Sequence, residues 1–156
     1  MTQTGLYYND ALTPVDPSVR NDVFQYVRDS IVPSILQDDK EIQKHIIYHR
    51  VILGDSVAKC TKRFAEQDPS THLLCIFAYG PHIQKMVSAV EVYKKTLDQT
   101  KVTQWNKMTM FRLVEPGVNE LLEKKTMVPI LVTFITTSEA LNSAVFDNDL
   151  HQFTKQ

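Results

Sequence analysis

A glycine-led turn holds the residue types in this sequence that are best suited to binding a phosphate group. Gly80-Pro81 follows a nearly uninterrupted apolar run ending at Tyr79, and His82 and Lys85 lie in the helix that Pro81 is suited to begin. The unpaired N–H groups and the dipole of a helix start favour an anion. The motif lacks the further glycine and Lys-Ser/Thr of a nucleotide-binding loop. Two interpretations follow: a phosphate-binding site with His82 and Lys85 on its rim, or a plain strand-to-helix turn.

A second group of residues combines aromatic rings with cations. Trp105, Lys107 and Arg112 lie in one predicted strand, and looped RNA is bound by rings that stack on bases and cations that hold the backbone. A lone tryptophan in a small domain is more often a core or interface residue. We therefore assign Trp105, Phe111 and Leu113 to a dimer interface, and Lys107 and Arg112 to RNA binding.

The charge of the chain is divided unevenly along its length. The 156 residues carry 17 Lys and Arg against 18 Asp and Glu, a net charge of −1. Residues 44–112 hold eleven bases and five acids, whereas residues 1–43 sum to −4 and residues 113–156 to −3. A segment of +6 inside a neutral chain indicates a polyanion-binding face. Solvated lysines on helix surfaces are the alternative explanation, and Lys59, Lys62 and Arg63 fit it slightly better.

The sequence offers little for catalysis or for metal binding. Cys75 lies in the most apolar segment, where a packed thiol is more common than a nucleophile. Cys60 and Cys75 are too few for a cysteine-based zinc site, and His45 and His49 lie in a strand-like run. No apolar run approaches the roughly 18–20 residues that cross a bilayer. We expect a reduced, intracellular protein with no catalytic residues, no metal, no cofactor and no membrane partner.

Hydrophobic periodicity predicts a helix followed by the order β-α-β-α-β-β. Residues 1–15 look irregular, and Asp16-Pro17 has the form of a helix start for residues 17–36, with Pro33 expected to interrupt the last turn. The fold class is α/β (α+β), with both core helices on one face of a single sheet and the other face in need of a partner. The predicted units are an N-terminal extension with an amphipathic helix (1–43), a core (44–136) and a tail (137–156).

Several segments together resemble the Alba superfamily of small nucleic-acid-binding proteins. The strand–glycine–helix segment from Leu74 to Met86 carries the general resemblance. Gln104-Trp105-Asn106-Lys107, Asn119-Glu120-Leu121, the strand 128–133 and the tail 151–156 are similar to the Alba-type subunits of fungal ribonucleases P and MRP. The resemblance covers residues 45–156 well and the leading helix more loosely.

The resemblance implies a non-catalytic, RNA-binding subunit in the nucleus and nucleolus. Such a protein pairs with a second Alba-type subunit and binds a stem-loop of ribonuclease P RNA and ribonuclease MRP RNA for tRNA and rRNA processing. The resemblance also implies an association of the same pair with telomerase RNA. Lys85 matches a lysine of the Alba helix motif. The resemblance also places a nucleic-acid-binding hairpin near Lys101, Lys124 and Lys125, although Glu120 and Glu123 reduce the local potential there. The basic clusters of archaeal Alba proteins are replaced by Leu53-Gly54-Asp55-Ser56 and by residues 78–82. The alternative is a scaffold module whose partner makes most RNA contacts.

Overall fold

The computed structural model describes residues 4–37, 39–98, 100–117, 122–139 and 154–155. The strands are β1 (Gly5–Tyr8), β2 (Ala11–Leu12), β3 (Ile46–Arg50), β4 (Leu73–Tyr79), β5 (Thr103–Glu115), β6 (Lys124–Thr136) and β7 (Thr154–Lys155). The helices are α1 (Arg20–Tyr26), α2 (Val32–Ile35), α3 (Lys40–Gln43), α4 (Val57–Phe64) and α5 (Ile83–Lys94). A π-helical segment (Val27–Ile31) joins α1 to α2, and a 3₁₀ turn (Gly80–His82) precedes α5.

All of these strands belong to one mixed sheet. The order across the sheet is β2-β1-β5-β6-β4-β3, and β7 pairs with β5 near Trp105 on the edge that β1 occupies further along. β3 and β4 are parallel and are joined through α4, whereas the pairs β4–β6 and β5–β6 are antiparallel. The predicted β-α-β-α-β-β core is therefore confirmed as β3-α4-β4-α5-β5-β6.

Helices cover both faces of this sheet. α4 and α5 pack on the face that contains Leu74, Ile76 and Ala78 of β4. The segment α1–π–α2 packs on the opposite face, against Cys75 and Phe77. The sequence predicts the first of these layers but leaves the second face open. The predicted extension fills that place, so the sheet lies between two helical layers. No helix among the described residues is long and apolar enough to span a membrane.

The N-terminal residues form a hairpin that the sequence analysis missed. β1 pairs with β2 through Asn9 and Asp10, which have φ values of 51° and 64°, and β1 also pairs with β5. Asn and Asp adopt this left-handed conformation more readily than other non-glycine residues, and it is the conformation of tight hairpin turns. The prediction of an irregular segment over residues 1–15 is wrong because β1 and β2 are too short to show a period.

The helix over this face starts later than predicted. Asp16 accepts hydrogen bonds from the N–H (2.9 Å) and hydroxyl (2.7 Å) of Ser18, and its carbonyl accepts the N–H of Val19. These bonds form a turn of their own, and the helix begins at Arg20 without a side-chain cap. Asp16 is therefore a turn residue rather than the predicted N-cap.

Pro33 interrupts the helix as predicted, but the helix does not end at this residue. Pro33 has no N–H for the bond to the preceding turn, and its ring crowds the carbonyl four residues back. The π-helical segment ends at Ile31, two residues before Pro33, and α2 continues past the proline. The wider π turn therefore accommodates the proline while Val27, Ile31 and Val32 remain buried.

The long hairpin β5–β6 extends beyond β4, and its far end pairs with β1 on the other edge. β6 begins at Lys124, four residues earlier than the apolar run predicts, and it pairs with β5 along all thirteen residues of each strand. β4 pairs with β6 only from Ile130 onwards, so Pro129 lies where one edge of β6 is unpaired. This position suits a residue that cannot donate to a ladder. Much of the predicted tail, 137–156, lies outside the described residues.

The structure corrects the assignment of Phe111 to a dimer interface. Phe111 is completely buried, with ring centroids 6.0 Å from Tyr8 and 6.1 Å from Tyr26. The sequence places Phe111 on an apolar strand face but does not show that the N-terminal segment covers that face. Phe111 therefore belongs to the core of this chain.

Phe111→Ala tests this placement of the N-terminal layer. Removing a fully buried ring should lower the free energy of unfolding by about 3–5 kcal/mol, measured by urea denaturation of the isolated chain. Met110→Ala is the matched control because Met110 is the next residue of the strand and is 47% exposed. Equal stability of the Phe111 variant and the wild type would return this residue to a partner interface.

Candidate nucleic-acid interface

The turn into α5 lies at the end of the sheet where the β5–β6 hairpin protrudes. β4 ends at Tyr79 opposite Ile130, and both hairpin strands continue past this point. Gly80 has a φ of 54°, a conformation that side chains disfavour, and a Cβ there would lie 3.4 Å from Cγ1 of Val128. The glycine therefore allows the chain to reverse close against β6, which places the start of α5 beside the base of the protruding hairpin.

His82 does not lie on the rim of this site as the sequence suggests. It is buried, and its Nδ1 accepts the backbone N–H of Leu53 at 2.9 Å. Its ring centroid lies 5.3 Å from that of Phe24 and 5.1 Å from that of Tyr79. Burial, with a smaller contribution from Arg20, lowers the pKa of His82, which matches an Nδ1 that must stay unprotonated to accept a bond. His82 thus ties α5 to the loop after β3.

The other residues of the predicted phosphate motif divide between the core and the surface. The Tyr79 ring packs edge-on against Phe24 at 4.9 Å, and burial raises the pKa of its hydroxyl. Pro81 is exposed, and Lys85 is half-buried on the wall of a depression of about 250 Å³. Leu53, Val57, Gln84 and Ser88 complete that wall. Lys85 therefore remains the cation of this motif that can meet an anion.

Three of the predicted cations lie on the protruding hairpin. Lys124 and Lys125 are exposed at the start of β6. Arg112 lies 5.0 Å above the ring of Tyr7, and its Nη1 is 3.5 Å from Asp10. Its Nε is buried and finds no acceptor among the described residues. The β1–β2 hairpin thus positions Arg112 and offsets part of its charge, while the two lysines are open to a ligand.

The structure separates the remaining two predicted cations from this group. Lys101 is exposed in the segment before β5, at the end of the sheet opposite to the hairpin turn. Lys107 is half-buried in the middle of β5, opposite Val132 on the sheet face that the N-terminal segment covers. The structure therefore gathers Lys85, Arg112, Lys124 and Lys125 at one end of the sheet and places Lys101 and Lys107 elsewhere.

The predicted interface residues and the exposed apolar surface lie on opposite faces of β5. Trp105 and Leu113 pack against the core cluster beneath the N-terminal segment. The face towards α5 instead exposes 52% of Met108, 47% of Met110 and 57% of Met127. Strand alternation in the sequence places Met108 and Met110 on one face, but it does not identify which face stays open.

A cleft of about 330 Å³ separates α5 from this methionine face. Val87, which is 46% exposed, lines the cleft together with Met108 and Leu131. A small polar cluster lies beside them. Asn106 Oδ1 accepts hydrogen bonds from Gln104 Nε2 at 3.0 Å and from the Thr133 hydroxyl at 2.8 Å. We call this surface the methionine cleft: Val87, Gln104, Asn106, Met108, Met110, Met127, Leu131 and Thr133.

The described residues include Cys75 and His49, which the sequence analysis considers for catalysis and metal binding, in the strands β4 and β3. They contain no group of three or more His, Cys, Asp or Glu side chains that could hold a metal ion. Cys75 is fully buried, and burial strongly raises the pKa of its thiol, which suppresses the thiolate that nucleophilic attack requires. Burial also lowers the pKa of His49. What the described surface offers is a cationic hairpin, an apolar cleft and a helix start, which are features of binding.

Comparison with known proteins agrees with this geometry. The family model described as Alba matches residues 53–112, which run from the loop after β3 to Arg112 of β5. The chain is 37% identical over 161 residues to the ribonucleases P/MRP protein subunit POP6 of Saccharomyces cerevisiae. That similarity covers 97% of this chain and 98% of the yeast protein, so it includes the N-terminal segment. The chain belongs to the POP6 family of Alba-like ribonuclease P/MRP protein subunits.

Proposed function

We propose that this protein is a non-catalytic, RNA-binding subunit of ribonucleases P and MRP. In this role it forms a heterodimer with a second Alba-type subunit and binds a stem-loop of the catalytic RNA during precursor tRNA and rRNA processing. The observation that carries the proposal is the similarity to a ribonuclease P/MRP subunit along nearly the whole chain. The geometry supports it because the cationic hairpin end and the exposed apolar cleft give the chain a candidate surface for each contact, and the two surfaces adjoin where Met127 lies opposite Arg112.

The RNA-binding surface of the proposal is the hairpin end of the sheet. Lys124 and Lys125 lie on a hairpin that extends beyond β4, and Lys85 lies near the start of α5 at the same end. Phosphate contacts of this kind contribute most of the affinity for nucleic acid without reading its sequence. Few cations are available there, which favours one shaped RNA site over indiscriminate binding of polyanions.

The heterodimer surface of the proposal is the methionine cleft. Its exposed methionines and Val87 surround a polar cluster in which the buried Oε1 of Gln104 finds no donor among the described residues. Methionine side chains adapt to a partner surface, and exposed apolar groups rimmed by polar ones are typical of interfaces. Trp105 and Leu113 remain the alternative interface.

The proposed assembly also determines where the protein acts. Particles that process precursor tRNA and rRNA require a nuclear and nucleolar protein, so we propose that location. We extend the proposal to telomerase RNA as a further ligand, because a hairpin that contacts phosphates can bind any RNA of the appropriate shape.

A second function is favoured by the acids at the hairpin end of the sheet. Asp10 lies beside Arg112, and Glu115 lies directly opposite Lys124 in the strand register. If these carboxylates neutralise enough charge, the chain acts as a scaffold that positions its partner, and the partner makes most RNA contacts. Crosslinking within the assembled particle distinguishes the two: RNA crosslinks from the partner alone would favour the scaffold.

Neutralising the hairpin should weaken RNA binding in a salt-dependent manner. Lys124→Gln with Lys125→Gln removes two cations, so the slope of log K against log salt should become shallower by roughly 1.4–1.8. Fluorescence anisotropy with the stem-loop RNA, for the chain together with its partner, measures this slope. Lys62→Gln with Lys95→Gln is the charge-matched control away from the hairpin. Identical slopes for both double variants would argue against the hairpin as the RNA surface.

Charging the methionine cleft should prevent heterodimer formation without unfolding the chain. Met108→Glu with Val87→Glu buries two carboxylates in the proposed interface, and both positions are about half exposed in the isolated chain. Co-purification with the second subunit should fail while the melting temperature stays close to that of the wild type. Leu12→Glu is the control, since Leu12 is 62% exposed on β2. Retained pairing by the double variant, with loss of pairing by Trp105→Ala, would place the interface on the other face.

A further inference from the structure

The edge strand β3 and the N-terminal helix together enclose an arginine-lined cleft that lies away from the hairpin and the methionine cleft. Its volume is about 490 Å³, within the range of small-ligand pockets. Its wall includes Arg28, Arg50, Arg63, Tyr48 and His49. We call it the arginine cleft.

The arginines of this cleft are held in place by aromatic rings. The guanidinium carbon of Arg28 lies 5.1 Å from the centroid of Tyr48, and that of Arg50 lies 5.6 Å from the centroid of Phe24. Arg50 also donates from Nη1 to the side-chain oxygen of Asn21 at 2.8 Å. A guanidinium that is already stacked loses less entropy when it binds a phosphate, and it can do so through two parallel hydrogen bonds.

The charge of the cleft is only partly offset. Arg63 Nη2 pairs with Asp55 at 2.9 Å. Arg28 lies 4.0 Å from Asp29 with both side chains largely exposed, an ion pair that contributes little. Arg50 forms no ion pair with any carboxylate of the described residues. The cleft therefore keeps a net positive charge that is concentrated at Arg28 and Arg50.

Two further nitrogen atoms belong to residues of the cleft wall. His49 Nε2 and Arg63 Nε are buried and have no hydrogen-bond partner among the described residues. Buried polar groups are rarely left unpaired in native structures. The Arg63 Nε–H is always a donor, and together with the guanidinium groups of Arg28 and Arg50 it makes the wall rich in donors. A phosphodiester backbone, whose oxygens accept hydrogen bonds, is the ligand that such a wall complements.

The π-helical segment explains how Arg28 reaches this cleft. A π turn re-aims the side chains it carries and is often found at functional sites. Arg28 and Asp29 both lie within Val27–Ile31 and line the cleft, whereas Val27 and Ile31 remain in the core. The π-helical turn close to Pro33 therefore lies at the position where Arg28 contributes to the wall of the cleft.

We propose that the arginine cleft binds a single-stranded or looped segment of RNA, with Arg28 and Arg50 on phosphates and the Tyr48 ring holding Arg28 in place. The inference rests on the proposed RNA-binding function and adds a second contact surface, at the sheet edge opposite to β1 and β2. Rings and stacked arginines in one groove are the features by which unpaired bases are bound. An RNA held at the hairpin could extend a loop to this edge.

A peptide is the competing ligand, because β3 is the last strand at its end of the described sheet. The N–H of Val51 donates to the carbonyl of Phe77, and the carbonyl of His45 accepts from the N–H of Leu73. Alternate residues of a parallel strand bond to the same neighbour, so the backbone groups of Tyr48 and Arg50 point towards the open edge. An acidic segment of another protein could add a strand there. We favour RNA because a peptide would not use the ring-stacked arginines as fully.

The test compares cleft variants of the full chain with two labelled RNAs, a 12-nucleotide oligouridylate and a stem-loop from ribonuclease P RNA. Arg28→Gln with Arg50→Gln should weaken oligouridylate binding and make its salt slope shallower by about 1.4. Tyr48→Leu removes the ring that holds Arg28 in place and should reduce affinity roughly 2- to 30-fold, the effect of losing one cation–π contact. Tyr48→Phe keeps the ring and should bind normally. Thermal melting checks that each variant is folded.

The controls separate this inference from the proposed function. Lys62→Gln with Lys95→Gln should leave oligouridylate binding unchanged. If the wild type binds the stem-loop and the cleft variants bind both RNAs equally well, the arginine cleft is not an RNA site and the proposed function stands. If the wild type binds neither RNA, the proposed function fails. If a labelled decaglutamate peptide binds the wild type and is lost only in the arginine variants, with RNA binding intact, the cleft is a protein site.

Discussion

The structure depends on covering both faces of β4. Six consecutive residues of this strand, Leu73–Ala78, are buried, and alternate side chains point to opposite faces of the sheet. An apolar face left in water costs about 25 cal/mol for each Å² exposed, so a strand of this kind requires a layer on each side. α4 and α5 provide one layer. The N-terminal segment provides the other and is therefore part of the folding unit.

The sequence predicts the part of the fold in which local pattern and environment agree. α4 and α5 show their apolar stripes, and Ser56 caps α4 by accepting the N–H of Lys59. The parts that it misses are settled by tertiary contacts. β1 and β2 have six residues together, too few for a period, and they form because β5 offers an open edge. The burial of Phe111 follows only once the N-terminal helix is placed over it.

The candidate sites show the same division between residue type and placement. The sequence predicts Lys85, Lys124 and Lys125 as binding residues because they are cations near a glycine turn or a hairpin. His82 has a suitable residue type, but its Nδ1 is used by the N–H of Leu53, 29 residues earlier in the chain, and no local pattern reveals that bond. Arg28 and Arg50 are far apart in sequence. They line the same cleft only because the N-terminal helix lies beside β3 in the folded chain. The charge of segment 44–112 indicates a polyanion, but not which of its cations share a surface.

β5 connects these surfaces because it is a single strand of thirteen residues that contributes to several of them. Phe111 fixes one face of the strand in the core, which compels Met108 and Met110 to face the cleft beside α5. At about 3.3 Å per residue, Met108 and Arg112 lie roughly 13 Å apart along the strand. The hydrogen bonds to β6 on one side and to β1 on the other prevent that spacing from changing. A partner seated in the methionine cleft would therefore be held at a set distance from an RNA on the hairpin, and the pairing of subunits would determine how the RNA is presented.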